Sequence, residues 1–592
     1  MQSASENLNP PDKPISGREL LLACLLLCGF SALLFLPAFI KGLPSGHDAY
    51  VHYRWAVQFN DALKEPGFFY PRWLSTANDN QGSPVMLYYP PLPFLVTAFF
   101  NFFTGDMVRA MTLACLLALL LSGVAMYLFC RSHFAPPVSL FAACLYLLAP
   151  YHLYDFYHRS ALSEFWSFVW LPLILDAIQR IIGKQSWRMV VYLAASYALL
   201  LLTHVPISFA FSLALPLYIL LLTRQWQALW RIAVGLMMGV GLSAVFVVPL
   251  LLERHFVKIQ RVLGIRYTKY WVFEQLFATP FFHLPEQRRF FVMKMVDLTA
   301  LALPFVLLLS AVVWFILRQQ IKLTNEKKRW LVAAWVMAVL CLLLTTKVTA
   351  FIWEALPALA YLQFPFRWLT LVTLFVVALL AAMLSVMTQL RKAKWLVVAL
   401  LTVIFLCLGM VSILVIKEAA HDREEIVKEV NAGEVREYRT IWQPGPRREA
   451  EEEEEAVAQT VATPLLAVIV MSGKAEVSSE DEEGMSQRYT VRATQETVLQ
   501  FRALYFPGWQ ATVDNQPVEI TAGEKGNIGV TVPAGEHQVE LQFRDTRPRR
   551  IGKIISLLSL LLCLLLLWSK TLAQTDALRG FIKLVWNRRN AN

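Results

Sequence analysis

Long apolar runs recur along the chain, separated by short polar connectors. A helix needs about 20 residues to cross a hydrocarbon core of about 30 Å. On that scale the runs predict twelve spans, near residues 19–41, 107–130, 136–150, 165–182, 189–204, 206–223, 231–252, 298–317, 330–346, 368–390, 395–416 and 551–569. Residues 90–104 are apolar but short and open with Pro90 and Pro91, which predicts an interfacial or re-entrant helix. Lys13 and Arg18 precede the first run, but the run exceeds a signal-peptide core and no small-residue cleavage pattern follows Phe39, so it is expected to remain as an anchor.

With residues 90–104 left out of the count, the basic connectors fall on one side: Arg131; Lys184 and Arg188; Arg224 and Arg231; Lys322, Lys327, Lys328 and Arg329; Arg391, Lys392 and Lys394; and Arg588 and Arg589. The positive-inside rule makes that side cytoplasmic, with both termini inside and external loops at 41–106, 151–164, 253–297 and 347–367. Arg547, Arg549, Arg550 and Lys553 lie just outside the last span against the rule, which suggests contact with anionic lipid headgroups.

Composition agrees with this pattern: 57% hydrophobic residues and a mean hydropathy of +0.49 exclude a soluble chain. All eight cysteines (Cys24, Cys28, Cys115, Cys130, Cys144, Cys341, Cys407, Cys563) lie in predicted spans, where they act as small apolar residues and offer no disulfide framework or zinc site.

Residues 417–550 are different material, with 16 Lys and Arg against 25 Asp and Glu in a chain that is otherwise basic. The acidic run Glu449 to Glu455 reads as a solvated loop. Alternating or β-branched stretches at 487–493, 497–505, 510–514, 529–532 and 537–543, with turns at FPGW, DNQP and VPAGEH, predict a small antiparallel β-sandwich. It reads as a binding or scaffolding module, because no cluster of His, Cys or carboxylate recurs on it. The organisation is thus a transmembrane bundle over 1–416, a β-rich domain over 417–550, and a last span with a basic tail over 551–592.

Three external pieces carry candidate chemistry. The first opens with Gly46-His47-Asp48, leads into an amphipathic helix over 49–64 and continues through FFYPRW and GSPVMLYYPPLPF. The second is YHLYDFYHRSALSE over 151–164, and the third, with RHFVKIQRVLGIRYTKYW, mixes cations and aromatics as interfacial segments do. An acidic residue beside the bilayer is costly and marks a functional candidate. A positioned carboxylate can serve as a general base, and Asp48 is the candidate. Bidentate arginine is suited to holding an anionic group, for which Arg159 and Arg367 are the candidates.

Each has a plainer reading. Asp48 is also a good N-cap for a helix starting at Ala49. His47 can simply pack, Glu164 can serve the helix dipole rather than act as a second carboxylate, and Arg159 and Arg367 can snorkel to headgroups. His204 can be a satisfied interfacial histidine, and Glu253 can form a salt bridge with Arg254 and nothing more. Asp48 and Glu164 facing one cavity are also compatible with Mg²⁺ or Mn²⁺, although no cofactor is firmly expected.

GHD after the first span, YPRW at 70–73, GSPVMLYYPPLPF, APYHLYDFYHRSALSE, THVP at 203–206 and LQFPFRWL at 362–369 together resemble the GT-C class of integral membrane glycosyltransferases. Within it, the chain resembles the membrane proteins labelled 6-pyruvoyl-tetrahydropterin synthase-related. YFPGWQATVDNQPV with VPAGEHQVELQF resembles the β-domain of that group and of YfhO-like proteins. Pterin chemistry of that type requires histidines converging on zinc beside a catalytic cysteine, which the scattered histidines and intramembrane cysteines do not offer.

The resemblance implies a multi-pass inner-membrane protein with a GT-C-like bundle. It would transfer a sugar from a polyprenyl-phosphate carrier to a glycan, lipid or protein acceptor on the external face. The first-loop acidic position of the class maps onto Asp48, and His47, Arg159, Glu164, His204, Glu253 and Arg367 are carried as donor-phosphate or substrate-binding candidates. The rival is a non-catalytic bundle that binds or helps export a lipid-linked glycan or envelope polymer. A secondary transporter would favour inverted repeats with broken helices, which the sequence does not show. Membrane lipids are expected partners and nucleic acid is not.

Overall fold

The computed structural model describes residues 15–65, 70–260, 270–274, 288–317, 324–387, 394–428, 435, 438–443, 467–481 and 484–574. The acidic run 449–455, Lys322, Arg391, Lys392, the basic tail and part of the third external piece lie outside the described residues.

Helices form where the apolar runs predict them, and their ends carry the expected caps. Ser16 accepts from the backbone N–H of Glu19 to start Gly17–Lys41, and Gly42 ends that helix at φ 94°. Asp106 caps Met107–Arg131 in the same way. Eight described helices are long and apolar enough to cross a membrane, and the number rises to ten if each of two bent pairs counts as one span. Trp187–Leu201 and Thr402–Lys417, which account for the remaining two of the expected twelve, are shorter apolar helices. The centre of the bundle is Pro365–Val386, 89% of whose most apolar stretch is buried, whereas Arg547–Trp568 is 11% buried and turns its leucines outward. Leu92–Thr104 is a short apolar helix with Phe99, Phe102 and Phe103 exposed.

Two expectations change. The run 231–252 is not one straight span but two helices, Trp226–Leu242 and Ala244–Phe256, bent by 75°. The break at Ser243 frees the N–H of Val245, which donates to Ser556 Oγ at 2.8 Å on the last helix. Gly552 lets that helix approach, since a Cβ there would lie 2.5 Å from the Ala244 carbonyl oxygen. The segment 151–164 is not an open loop either. Pro150–Tyr157 is helical, and every residue from Tyr151 to Glu164 is buried.

Between the bundle and the last helix lie two antiparallel sheets: β1 (Val468–Ser472), β4 (Thr497–Leu504), β8 (Asn527–Val532) and β7 (Ile520–Ala522), ordered β1-β4-β8-β7; and β2 (Ala475–Asp481), β3 (Ser486–Ala493), β9 (Gly535–Phe543), β5 (Trp509–Val513) and β6 (Gln516–Val518), ordered β2-β3-β9-β5-β6. Tyr489, Val491, Leu499, Phe501, Val530, Val539 and Leu541 fill the space between them. β5 and β6 join through Asp514 (φ 49°) and Asn515 (φ 63°), the two left-handed residues a tight hairpin needs. The sandwich rests on the loop that follows Gly46-His47-Asp48. Leu504 donates its N–H to the Gln81 carbonyl, Met485 to Glu65 Oε2, and Trp73 packs against Trp509 and Phe543.

Candidate functional site

Gly46, His47 and Asp48 are laced to residues 158–160 by consecutive backbone bonds. Gly46 N–H donates to Ser160 Oγ at 3.1 Å, His47 N–H to the His158 carbonyl at 3.1 Å and Asp48 N–H to the Arg159 carbonyl at 2.8 Å. A Cβ on Gly46 would lie 2.5 Å from Ser160 Oγ and 2.7 Å from the His158 carbonyl oxygen, so the approach requires glycine. Ser160 sits at φ 51°, a left-handed conformation unusual for serine. Its hydroxyl takes the Gly46 N–H and donates to the Pro44 carbonyl, its N–H donates to the Phe156 carbonyl, and its own carbonyl meets His52 Nδ1. His52 Nε2 then lies 2.8 Å from the Tyr89 hydroxyl.

Asp48 precedes the helix Ala49–Ala62 but makes no side-chain cap bond. Its Oδ1 is 2.8 Å from His47 Nδ1 and its Oδ2 is 3.6 Å from Arg159 Nη2. Burial raises the Asp48 carboxyl, but the hydrogen bond and charge of His47, with the charge of Arg159, outweigh it and hold the group well below the usual carboxylate range. Burial lowers the neighbouring His52, against an upward pull from Asp48. Accessibility decreases inward: His47 is 54% exposed, Asp48 28% and Arg159 3%.

Behind Asp48 lies a buried ionic cluster. Arg159 Nη1 donates to Asp155 Oδ1 at 2.7 Å and to Glu164 Oε2 at 2.5 Å. Arg367 Nε donates to the same Glu164 oxygen at 3.0 Å, while its Nη1 reaches the Leu362 carbonyl and Gln363 Oε1. Tyr151 donates to Glu164 Oε1 at 3.0 Å. The chain reversal at Ser160 makes this geometry, because it turns Asp155 and Arg159 back over the first turn of Leu162–Lys184, where Glu164 sits. Arg367 enters from the turn Pro365–Trp368. The stacked rings of Phe364 and Phe366 form a wall beside the two guanidiniums. Neither arginine snorkels outward.

The site therefore brings together His47, Asp48, Arg159, Glu164 and Arg367, with Asp155, Tyr151, His52 and Ser160 added by the fold. Asp155 had a sequence signal, the i,i+4 spacing to Arg159. Asp155 Oδ2 has no hydrogen-bond partner among the described residues. His204 caps Val205–Leu222, its Nδ1 accepting from Ile207 N–H at 3.4 Å, close enough to feel the charges of Arg367 and Glu164. Glu164 does not suit a divalent ion in this arrangement, since one oxygen accepts from two guanidiniums and the other from Tyr151 and Thr370. Among the described residues no three His, Cys, Asp or Glu side chains converge as a metal site.

Glu253 belongs elsewhere. It pairs not with Arg254 but with Arg549, whose Nε lies 2.9 Å from Glu253 Oε2, and it also accepts from the Thr546 hydroxyl. Arg549 is fully buried and donates to the Pro507 carbonyl of FPGW, rather than meeting headgroups. Beside it Arg72 of YPRW pairs with Asp545 at 2.6 Å, and Asp545 also binds Lys553. YPRW, FPGW and the base of the last helix thus share one buried charge network.

Fold and site define the class: a polytopic α-helical membrane protein with an antiparallel β-sandwich before its last helix and a buried ionic cluster behind an accessible carboxylate. Residues 86–417 match the family described as 6-pyruvoyl-tetrahydropterin synthase related domain, membrane protein, and the chain belongs to that family. Residues 460–556 match the family described as bacterial membrane protein YfhO. Among solved structures, the chain is similar to ArnT from Cupriavidus metallidurans bound to undecaprenyl phosphate. The identity is 14%, the coverage 61% of this chain and 78% of that one, and the TM-score 0.30. No curated protein matches the chain.

Proposed function

We propose that this protein is a GT-C-type sugar transferase that moves a sugar from a polyprenyl-phosphate donor to an acceptor hydroxyl on the external face of the inner membrane. The observation that carries this reading is Asp48, a partly accessible carboxylate held ionised and fixed through its backbone directly over Arg159. Asp48 takes the proton of the acceptor hydroxyl, the oxygen attacks the anomeric carbon, and the bond from that carbon to the phosphate oxygen breaks. Polyprenyl phosphate leaves with the electron pair. Arg159 and Arg367 offset its charge. Arg159 Nη2 is the natural first contact for the phosphate, because its 3.6 Å approach to Asp48 is the loosest in the cluster. His204 serves as a helix cap behind Arg367 in this reading, and Glu253 holds the β-sandwich in place rather than touching donor.

One observation favours a second reading. Glu164 and Asp155 already offset the charge of the two guanidiniums, which leaves less of it for a departing phosphate and favours binding a lipid-linked glycan without cleaving it. Incubating the purified chain with an undecaprenyl-phosphate sugar and a membrane-extract acceptor separates the two. Transfer releases undecaprenyl phosphate, whereas retention of intact donor supports binding alone.

A further inference from the structure

Two adjoining cavities open between Met293–Phe315, Asn325–Leu344 and Pro365–Val386, at the end of the bundle away from Asp48. Arg367 and Ala382 share one helical segment, and fifteen residues at 1.5 Å each place the cavities about 22 Å from the ionic cluster along its axis. The larger cavity, about 290 Å³, is walled by Trp314, Leu331, Trp335, Leu379 and Met383, with Ser310 the one hydroxyl residue lining it among the described residues. The smaller shares Leu331, Ala382 and Val386 with it and adds His133, Lys327 and Ser385. An apolar cleft therefore runs into a mouth bearing a cation. His133 stacks on Trp330 with ring centroids 4.4 Å apart, and its Nε2 is buried without a hydrogen-bond partner among the described residues. Lys327 has no carboxylate in ion-pair reach among the described residues.

We propose that this cleft binds one chain of an anionic lipid, with the lipid phosphate at Lys327 on its rim, outside the smaller cavity, which at about 20 Å³ is too small to hold it. Three features support that occupant. The walls offer almost no polar partners, so ordered water is a poor filling. The volume falls at the lower edge of the roughly 300–1,000 Å³ of small-molecule pockets, enough for part of one chain and too small for a sugar-bearing headgroup as well. The side is open to the bilayer, since Phe315 is 63% exposed, and a lysine on such a rim extends its stem over apolar surface and its ammonium toward lipid phosphate. The inference is independent of the reaction assigned to Asp48.

The test uses the full chain in phosphatidylcholine vesicles containing phosphatidylglycerol with a diazirine in its acyl chain. After irradiation, labelled peptides should map to 310–315, 331–335 or 379–386. Phosphatidylglycerol should label them about fivefold more than the matching phosphatidylcholine probe, the preference one basic residue confers on an anionic lipid. Lys327→Gln should remove that preference, and Ala382→Trp should abolish labelling by filling the cleft. Asp48→Asn should leave labelling unchanged. Equal labelling by both probes, or a preference that survives in Lys327→Gln, means annular contact and overturns the site. Should Ala382→Trp not fold, the surface change at Lys327 still decides the matter.

Discussion

Asp48 and Arg159 are joined twice: the Asp48 backbone N–H donates to the Arg159 carbonyl at 2.8 Å, and their side chains face one another at 3.6 Å. The backbone bond fixes where the carboxylate stands, and the looser side-chain contact leaves space beside Oδ2. Because Arg159 is tied to Glu164 and Glu164 to Arg367, the position of Asp48 is referred to the centre of the bundle.

Gly46 is the hinge of that arrangement. Gly46→Ala would force a Cβ against a backbone carbonyl 2.7 Å away, which cannot swing aside as a side chain can. The expected cost is about 1–3 kcal/mol, typical of overpacking, with loss of transfer activity beyond the loss of folded protein. Thermal unfolding in detergent and activity per folded molecule check both parts.

The network at the base of the last helix is a structural latch. Glu253→Gln leaves Arg549 buried without a counter-charge, and breaking such a pair costs about 3–5 kcal/mol. Replacing both partners by apolar residues, Glu253→Leu with Arg549→Met, should cost less than either single change, and a double-mutant cycle measures the difference. Limited proteolysis should release the β-sandwich earlier in Glu253→Gln than in the parent.

Stability should depend on pH through His52. Its folded pKa is depressed by burial, so its contribution is present above the unfolded value of about 6.5 and is lost as pH falls below it. The melting temperature of the full chain should therefore drop between about pH 7 and pH 5. His52→Gln should make the drop smaller, though not absent, because burial also lowers His421. An unchanged drop would remove His52 from the account.

Much of this was legible in the chain. Run lengths located the helices, and the five alternating stretches named β3, β4, β5, β8 and β9. The sequence pattern missed β1, β2, β6 and β7, because β1 is largely exposed, β2 is polar and acidic, and the other two have three residues each. The bend at Ser243 was invisible because the group that satisfies Val245 lies on the last helix, remote in sequence. The segment 151–164 read as an exposed loop because its charges look costly one at a time. Only the folded chain shows Asp155, Arg159 and Glu164 cancelling one another. For the same reason Arg549 reads in the sequence as a headgroup ligand, whereas the fold sets Glu253 against it.

The most direct test of the central claim is Asp48→Asn in reconstituted membranes with a polyprenyl-phosphate sugar donor. Asp48 makes no cap bond and Asn keeps its size, so folding and expression should survive, with a lower melting temperature from the lost ion contacts to His47 and Arg159. Removing the base should lower sugar transfer by about 10²-fold or more, with donor binding retained through Arg159 and Arg367. Full transfer activity in Asp48→Asn would contradict the account, whatever the fold.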